Sequence, residues 1–345
     1  MQYFARLVNV NDARDRFVDL WASNLPVCGD PTDKLRWFYC DGPAGRGQGF
    51  LLHREPGVAD DRPIGCAGIG SRSIYLGDRR VHVGLFADLA VDRNHRTGLP
   101  ALRLVGAIVR HAAASCELAY GFPNAKALAV FKRAGCHELG AMTRYVRVLR
   151  SRAYLERVLG DGMVRGAVAG VADFALSAAA RFSARRAPDE LELCWLDDFD
   201  ERFDRLFERA RVRHAIVSDR GAAVLRWRFL RVPDHAYRIC ALRGRDGELH
   251  AYAVVQIDAG TAAIADMLAR DDDALDALLR RLVFALDGEK CASVGFRFLG
   301  NREMRRILAR HRFVARDTTR SVVVSPGAVA RDPEAWYLTD FDEDV

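Results

Sequence analysis

Apolar positions near the start of the chain recur at helical spacing. Ala13, Phe17, Leu20 and Trp21 share one face behind Asp12, a residue suited to capping a helix. Phe199, Phe203, Leu206, Phe207 and Ala210 repeat that spacing far downstream. The period then shifts to strand-like runs at 49–53, 64–75 and 81–91, with a turn at Gly77-Asp78 between the last two. A helix over 100–113, a strand over 117–122, a helix over 125–134 and a final strand pair through 141–149 follow. Downstream come strands near 237–242, 249–257 and 262–268, a helix over 273–286, a strand over 292–298, a helix over 302–311 and a strand over 321–324. Helix first, then hairpin strands, then helix–strand–helix–strand predicts an α/β fold with a mixed sheet and helices on both faces.

The two successions match residue by residue. Arg16-Phe17-Val18-Asp19-Leu20-Trp21 resembles Arg202-Phe203-Asp204-Arg205-Leu206-Phe207, 186 positions on. Leu35-Arg36-Trp37 returns as Leu225-Arg226-Trp227, offset 190, and Ala87-Asp88-Leu89 as Ala265-Asp266-Met267, offset 178. Asn124, Phe131, Arg133 and Cys136 return at the same spacing as Asn301, Leu308, Arg310 and Phe313, offset 177. A nearly constant offset over four ordered matches predicts duplication, and a period this long means paired domains rather than a solenoid. The expected division is a first domain over 1–150, a linker over 151–190, a second domain over 191–325 and a tail over 326–345.

At 345 residues, with 50% hydrophobic and 28% charged, the chain has the composition of soluble globular domains and room for two cores. Met1–Asp12 lacks the layout of a secretory signal, and no apolar run reaches the length of a membrane span. Eight cysteines are scattered without a C-x-x-C pair, which reads as reduced thiols in a cytoplasmic protein, with no metal site. The net charge of +6 comes from arginines spread along the chain, without the clustering and interleaved aromatics that nucleic acid requires. In the linker, Val164, Val168, Val171, Ala175, Ala178 and Phe182 fall on one helical stripe, ringed by Arg157, Arg165, Arg181, Arg185 and Arg186. Two readings are open for 157–186: a helix packed between the domains, or peripheral contact with the inner membrane.

The segment Ala87–Ala101 runs from an apolar strand through Arg96-Thr97-Gly98 into a helix carrying Pro100 in its first turn. Unpaired backbone N–H groups, a helix N-terminus and a cation at one point suit a pyrophosphate. Asp88 is an ionisable residue on this strand, placed by alternation opposite Leu89 and Val91, with His82 at even spacing from it.

The segment resembles the acetyl-CoA loop of the GNAT acyltransferase superfamily, Q/R-x-x-G-x-G/A, with Arg96 first and Ala101 last. Leu99 stands where the family has glycine, and Gly98 one place earlier. A second family signature follows, carried by Asn124, Ala127, Phe131, Arg133, Gly135 and Cys136. Gly121-Phe122-Pro123-Asn124 and Trp336-Tyr337-Leu338-Thr339 with the acidic end resemble tandem-GNAT proteins associated with bacterial cell-envelope and exopolysaccharide genes. The resemblance implies acetyl-CoA or a longer acyl-CoA as co-substrate, with no metal. It implies coenzyme contacts from Leu89, Ala90, Val91, Arg96, Thr97, Gly98, Leu99, Pro100, Ala101, Asn124 and Phe131. An amine would attack the thioester directly, with Asp88 as general base and His82 beside it, and with Phe131 where many relatives carry an acid tyrosine.

In the second copy Arg270-Asp271-Asp272-Asp273 replaces the basic loop, and three carboxylates there repel a pyrophosphate. The expectation is therefore one N-acyltransferase site, in the first domain, with an amine acceptor (amino sugar, small metabolite or lipid amine) in the inter-domain cleft. Two alternatives stand beside it: a Fem-like transferase using aminoacyl-tRNA, and a non-catalytic CoA-binding protein.

Overall fold

A computed structural model describes residues 3–25, 29–54, 62–96, 99–151, 163–328 and 331–344, with backbone alone over 163–172 and at Thr319. The first half runs β1 (Tyr3–Val8), α1 (Arg14–Asn24), α2 (Pro31–Tyr39), β2 (Gln48–Arg54), β3 (Gly65–Leu76), β4 (Arg79–Val91), α3 (Leu99–Ser115), β5 (Leu118–Gly121), α4 (Ala125–Arg133) and β6 (His137–Val148). After α5 (Met163–Ala184) come β7 (Leu191–Leu196), α6 (Glu201–Arg211), β8 (Ile216–Ser218), α7 (Ala222–Leu225), β9 (Arg238–Gly244), β10 (Leu249–Asp258) and β11 (Thr261–Ala269). The chain closes with α8 (Asp272–Gly288), β12 (Ser293–Gly300), α9 (Arg302–Arg310), β13 (Val314–Val324) and β14 (Trp336–Leu338).

Local chemistry explains most of these elements. The expected apolar faces are buried: Phe17, Leu20 and Trp21 on α1, and Phe203, Leu206, Phe207 and Ala210 on α6. Asp12 does not cap α1; Ala13 occupies that position without a side-chain bond. The helix α2 has a strong start signal, with Asp30 accepting from the Thr32 N–H and Pro31 in the first turn. Gly77, at φ 59°, makes the tight turn of the long β3–β4 hairpin.

The strands form one sheet in the order β1-β2-β3-β4-β5-β13-β6-β12-β11-β10-β9-β7. Along this path β4–β5 and β11–β12 are parallel, and the other pairs antiparallel. The order reads the same from either end if β7, β9, β10, β11, β12 and β13 take the places of β1 to β6. The expected strand pair at 141–149 is instead the single strand β6, lying between β13 and β12. β13, from the far end of the chain, lies between β5 and β6. Each half of the sheet is thus completed by the last strand of the other, and the first half's core includes Ile216, Trp227, Val322 and Trp336. The expected tail is also woven in: β14 pairs with β12 and β8, and β8 pairs with β3, bridging the halves.

The linker helix α5 packs on α8, and its Asp173 accepts from Ser151 at the end of the first half. Ser177 donates to Asp287, Arg280 donates to Ser183, and Ala180 is buried. Phe174 and Phe182 face outward, and Arg186 lies over the Phe182 ring. The side chains of Val164, Val168 and Val171 lie outside the described residues. Among the described residues no helix is long and apolar enough to cross a membrane.

Candidate active site

β4 and β5 are paired only from Val83–Phe86 to Leu118–Gly121. Beyond that point β4 continues to Val91, while β5 ends and the chain turns through Phe122 and Pro123 into α4. The strands therefore part. The β3–β4 register also breaks here: Cys66 faces Ala90 and Gly68 faces Ala87, so Asp88 and Leu89 together oppose Ala67. This is a β-bulge, and Asp88 takes the left-handed conformation at φ 53°. The opening holds a cavity of about 280 Å³, with Phe86, Ala87, Asp88 and Leu89 on one wall and Phe122, Asn124, Ala127 and Phe131 on the other. Past Phe86, β4 has no strand on its β5 side to take its backbone N–H groups, so the bulge can offer donors to an oxygen in the cavity.

Both carboxylate oxygens of buried Asp88 are engaged. Lys34 Nζ donates to Oδ1 at 2.8 Å and the Tyr39 hydroxyl to Oδ2 at 2.7 Å. Burial pulls the Lys34 ammonium down, but Asp88 and Asp344 outweigh it and hold it above its ordinary value. Burial, then Asp88, pushes the Tyr39 phenol well up. The bulge also overturns the expected alternation, since Asp88 and Leu89 line the same cavity. His82 is exposed and faces Ser73 toward the other end of β4; it does not line the cavity.

Other expected contacts divide. Phe131 is buried against Phe86, with ring centroids 5.3 Å apart. Asn124 also lines the cavity, but its side-chain oxygen caps α4, accepting from the N–H groups of Lys126 and Ala127. Ala90 and Val91 are buried beyond the bulge. Arg96 turns back on its own scaffold: Nε donates to Val91 O at 2.9 Å and Nη2 to Asn24 Oδ1 at 3.0 Å. Leu99 is exposed and Pro100 buried in the first turn of α3, with Ala101 half-buried behind them. Thr97 and Gly98 lie outside the described residues. Among the described residues, the 280 Å³ cavity thus brings together Asp88, Leu89, Asn124 and Phe131, and not Arg96, Leu99, Pro100 or Ala101.

The end of the chain supplies what the sequence reading missed. A second cavity of about 340 Å³ lies between the halves, lined by Lys34 and Trp37 from one, Arg228, His235, Tyr237 and Arg297 from the other, and Asp340, Glu343 and Asp344. Lys34, Arg320 and Asp344 line both cavities, which are therefore neighbours. Arg320 donates to Glu343 Oε2 at 2.7 Å, while Glu343 Oε1 has no partner. Burial pushes the Glu343 carboxyl up to about 7, against the pull of Arg320. Thr339 and Asp342 form a capping box that fixes the acidic turn. The available signal was the crowding of Asp340, Asp342, Glu343 and Asp344 behind Trp336-Tyr337-Leu338, too apolar a run for a free tail.

The second half has the same parting of strands, filled from within. β11 and β12 pair only from Thr261–Ile264 to Ser293–Phe296. Into the space beyond comes β14, bonded to Leu299 and Gly300, with the Tyr337 hydroxyl donating to Met267 O. Asp266 sits at the matching bulge, fully buried, held by Arg220, Tyr252 and Thr339. The cavity beside Asn301 and Met304 is about 40 Å³. Asp271 caps α8 there through the Ala274 N–H. Among the described residues no cluster of His, Cys, Asp or Glu could hold a metal ion, and the seven described cysteines are free thiols.

No family model matches the chain, and no curated protein matches it. Solved structures do. One is a probable N-acyltransferase from Enterococcus faecalis, described as a conserved protein of unknown function, at TM-score 0.66 and 10% identity over 94% of this chain and 72% of that one. A GCN5-related N-acetyltransferase from Anabaena variabilis matches at TM-score 0.66 and 11% identity, over 96% and 74%. N-myristoyltransferase from Saccharomyces cerevisiae, solved with myristoyl-CoA, matches at TM-score 0.57 and 11% identity, over 94% and 82%. The fold is the mixed α/β fold of the GCN5-related N-acetyltransferases.

Proposed function

We propose that the chain is an acyl-CoA-dependent N-acyltransferase with one active site, where the β4–β5 opening neighbours the cavity between the halves. The observation that carries this reading is the contrast between the two openings: 280 Å³ beside the Asp88 bulge, against 40 Å³ where β14 fills the other. The thioester carbonyl would lie at the bulge, its oxygen facing backbone N–H groups as negative charge develops. The amine would enter from the 340 Å³ cavity, past Lys34, Arg320 and Asp344. Its nitrogen bonds the carbonyl carbon, the C–S bond breaks, and coenzyme A leaves as thiolate. Holding both reactants in neighbouring cavities supplies the proximity such a reaction needs.

The proton of the incoming ammonium requires a base. Asp88 has no free oxygen, whereas Glu343 offers Oε1 with its carboxyl held near neutrality. Glu343 is therefore the proposed base. The mirrored strand order supports descent of the two halves from one duplicated unit, the second having lost its coenzyme site. The test is thiol release from acetyl-CoA and longer acyl-CoAs in the presence of an amine mixture, with native mass spectrometry for a bound acyl-CoA. A protein that binds no acyl-CoA and releases no thiol above background overturns the reading.

A further inference from the structure

Resting on that reading, we infer that the acceptor is a small amino acid, held in the cavity between the halves by its carboxylate on Arg228 and its ammonium at Glu343. The charges lining the cavity are unevenly paired. Lys34 pairs with Asp88 at 2.8 Å, Arg297 with Asp340 at 2.8 Å, and Arg320 with Glu343 at 2.7 Å. Among the described residues Arg228 makes no ion pair with a carboxylate. Its Nε donates to Phe341 O at 3.0 Å and Nη2 to Asp340 O at 2.6 Å, while Nη1 has no acceptor. The residue is 2% exposed. A guanidinium removed from water and hydrogen-bonded only to backbone carbonyls keeps an open N–H that an anion can fill.

The opposite charge lies toward the reacting end. Glu343, 5% exposed, keeps Oε1 unpartnered, and it is bonded to Arg320, which borders the thioester cavity. Asp344 borders both cavities. The cavity thus offers an open N–H of Arg228, whose charge Asp340 answers only in part, and an unpartnered oxygen of Glu343 beside the passage to the thioester. A molecule with both charges satisfies both sites and presents its nitrogen where acyl transfer requires it. Trp37, Val232 and Tyr237 supply an apolar wall for a carbon skeleton. At about 340 Å³ the space lies at the small end of the range for ligand pockets and has room for an amino acid.

Binding and transfer are measured separately on the full chain. Proteinogenic amino acids, straight-chain ω-amino acids, their methyl esters and the matching amines without a carboxylate are titrated calorimetrically. At least one amino acid is expected to bind about a hundredfold more tightly than its ester and its amine. Arg228→Met is expected to bring the three within a few-fold of one another, with Arg228→Lys restoring part of the preference. Thiol release from acyl-CoA should follow the same ranking. Esters or amines that bind as well as every amino acid tested, a preference untouched in Arg228→Met, or phosphorylated amines that alone bind would each overturn the inference. Failure of acyl-CoA to bind, with amino-acid binding intact, would instead count against the transferase reading.

Discussion

Trp37 and Trp227 bond each other reciprocally: each indole N–H donates to the other's backbone carbonyl, at 2.7 and 2.9 Å. The rings stack with centroids 4.8 Å apart and planes within 12°, and both are buried. Two residues 190 positions apart that treat each other identically lie on a local two-fold axis. This contact joins the halves beside the proposed acceptor cavity, which Trp37 lines.

Reciprocity makes the pair's energetics testable. Trp37→Phe and Trp227→Phe each keep a stacked ring but leave one buried carbonyl unbonded, at an expected cost of about 1–2 kcal/mol. Truncation to alanine at either site should cost about 3–5 kcal/mol. Denaturant unfolding should give similar losses for the two single variants and a double-variant loss smaller than their sum, because they share one contact. Widely unequal single losses would mean that the halves do not meet symmetrically.

Coenzyme stoichiometry checks the division of labour between the openings. Titration with CoA or an acyl-CoA should give one site per chain. Ala127→Trp, which fills the open cavity from α4, should abolish binding with little change in melting temperature. Arg96→Glu should weaken it twice over, by breaking the bonds that brace β4 against α1 and by setting a negative charge near the α3 N-terminus. A stoichiometry of two would require β14 to leave the second opening.

What the sequence revealed, and what it hid, follows from the range of the interactions. Period and offset identified α1, α6, the hairpin strands, α3, α4, α8 and α9, because each is a local pattern. The exchange of β6 and β13 was not legible, since their pairing is decided by partners more than 150 residues away. Asp88 was singled out as a candidate base, and strand alternation misplaced its neighbours because a bulge inserts a residue without a composition signal. His82 lies away from the opening for a different reason: even spacing along a strand says nothing about distance from it. Lys34 and Glu343 were invisible as site residues, since they reach Asp88 and Arg320 only through the fold.

Glu343 gives the protein a predictable pH response. Burial raises its carboxyl from the ordinary 4.5 to about 7, so the folded state binds the proton more tightly than the unfolded chain. Its contribution to stability is fully present below about pH 4.5 and is lost as pH rises through 7, a change of ~3 kcal/mol. Burial also raises Asp340 and Asp342, which act in the same direction. His214, lowered by burial to about 4, acts oppositely: its contribution is present above pH 6.5 and lost as pH falls through 4. Glu343→Gln removes only the first effect. Its stability relative to the unsubstituted protein should therefore rise between about pH 5 and pH 8, by a comparable amount. A difference that stays flat across that range would place the Glu343 carboxyl at its ordinary value.

The two aspartates at the bulges separate structural from chemical roles. Asp266 and its partner Arg220 are fully buried, so Asp266→Asn leaves the guanidinium with Asp342 as its remaining carboxylate partner and should cost about 3 kcal/mol. Asp88 faces Lys34, which is 18% exposed and can turn toward water, so Asp88→Asn should cost less, about 2 kcal/mol. Both oxygens of Asp88 are already bonded, and its loss should slow turnover less than tenfold per folded molecule. Glu343→Gln should slow turnover about a hundredfold, the scale of a general base, and the deficit should shrink as pH rises and more of the amine arrives deprotonated. Melting curves and acyl-transfer rates on the three variants decide the assignment. If Asp88→Asn instead loses a hundredfold in rate while keeping its stability and coenzyme affinity, Asp88 is the base, and Lys34 and Tyr39 must release it during each turnover.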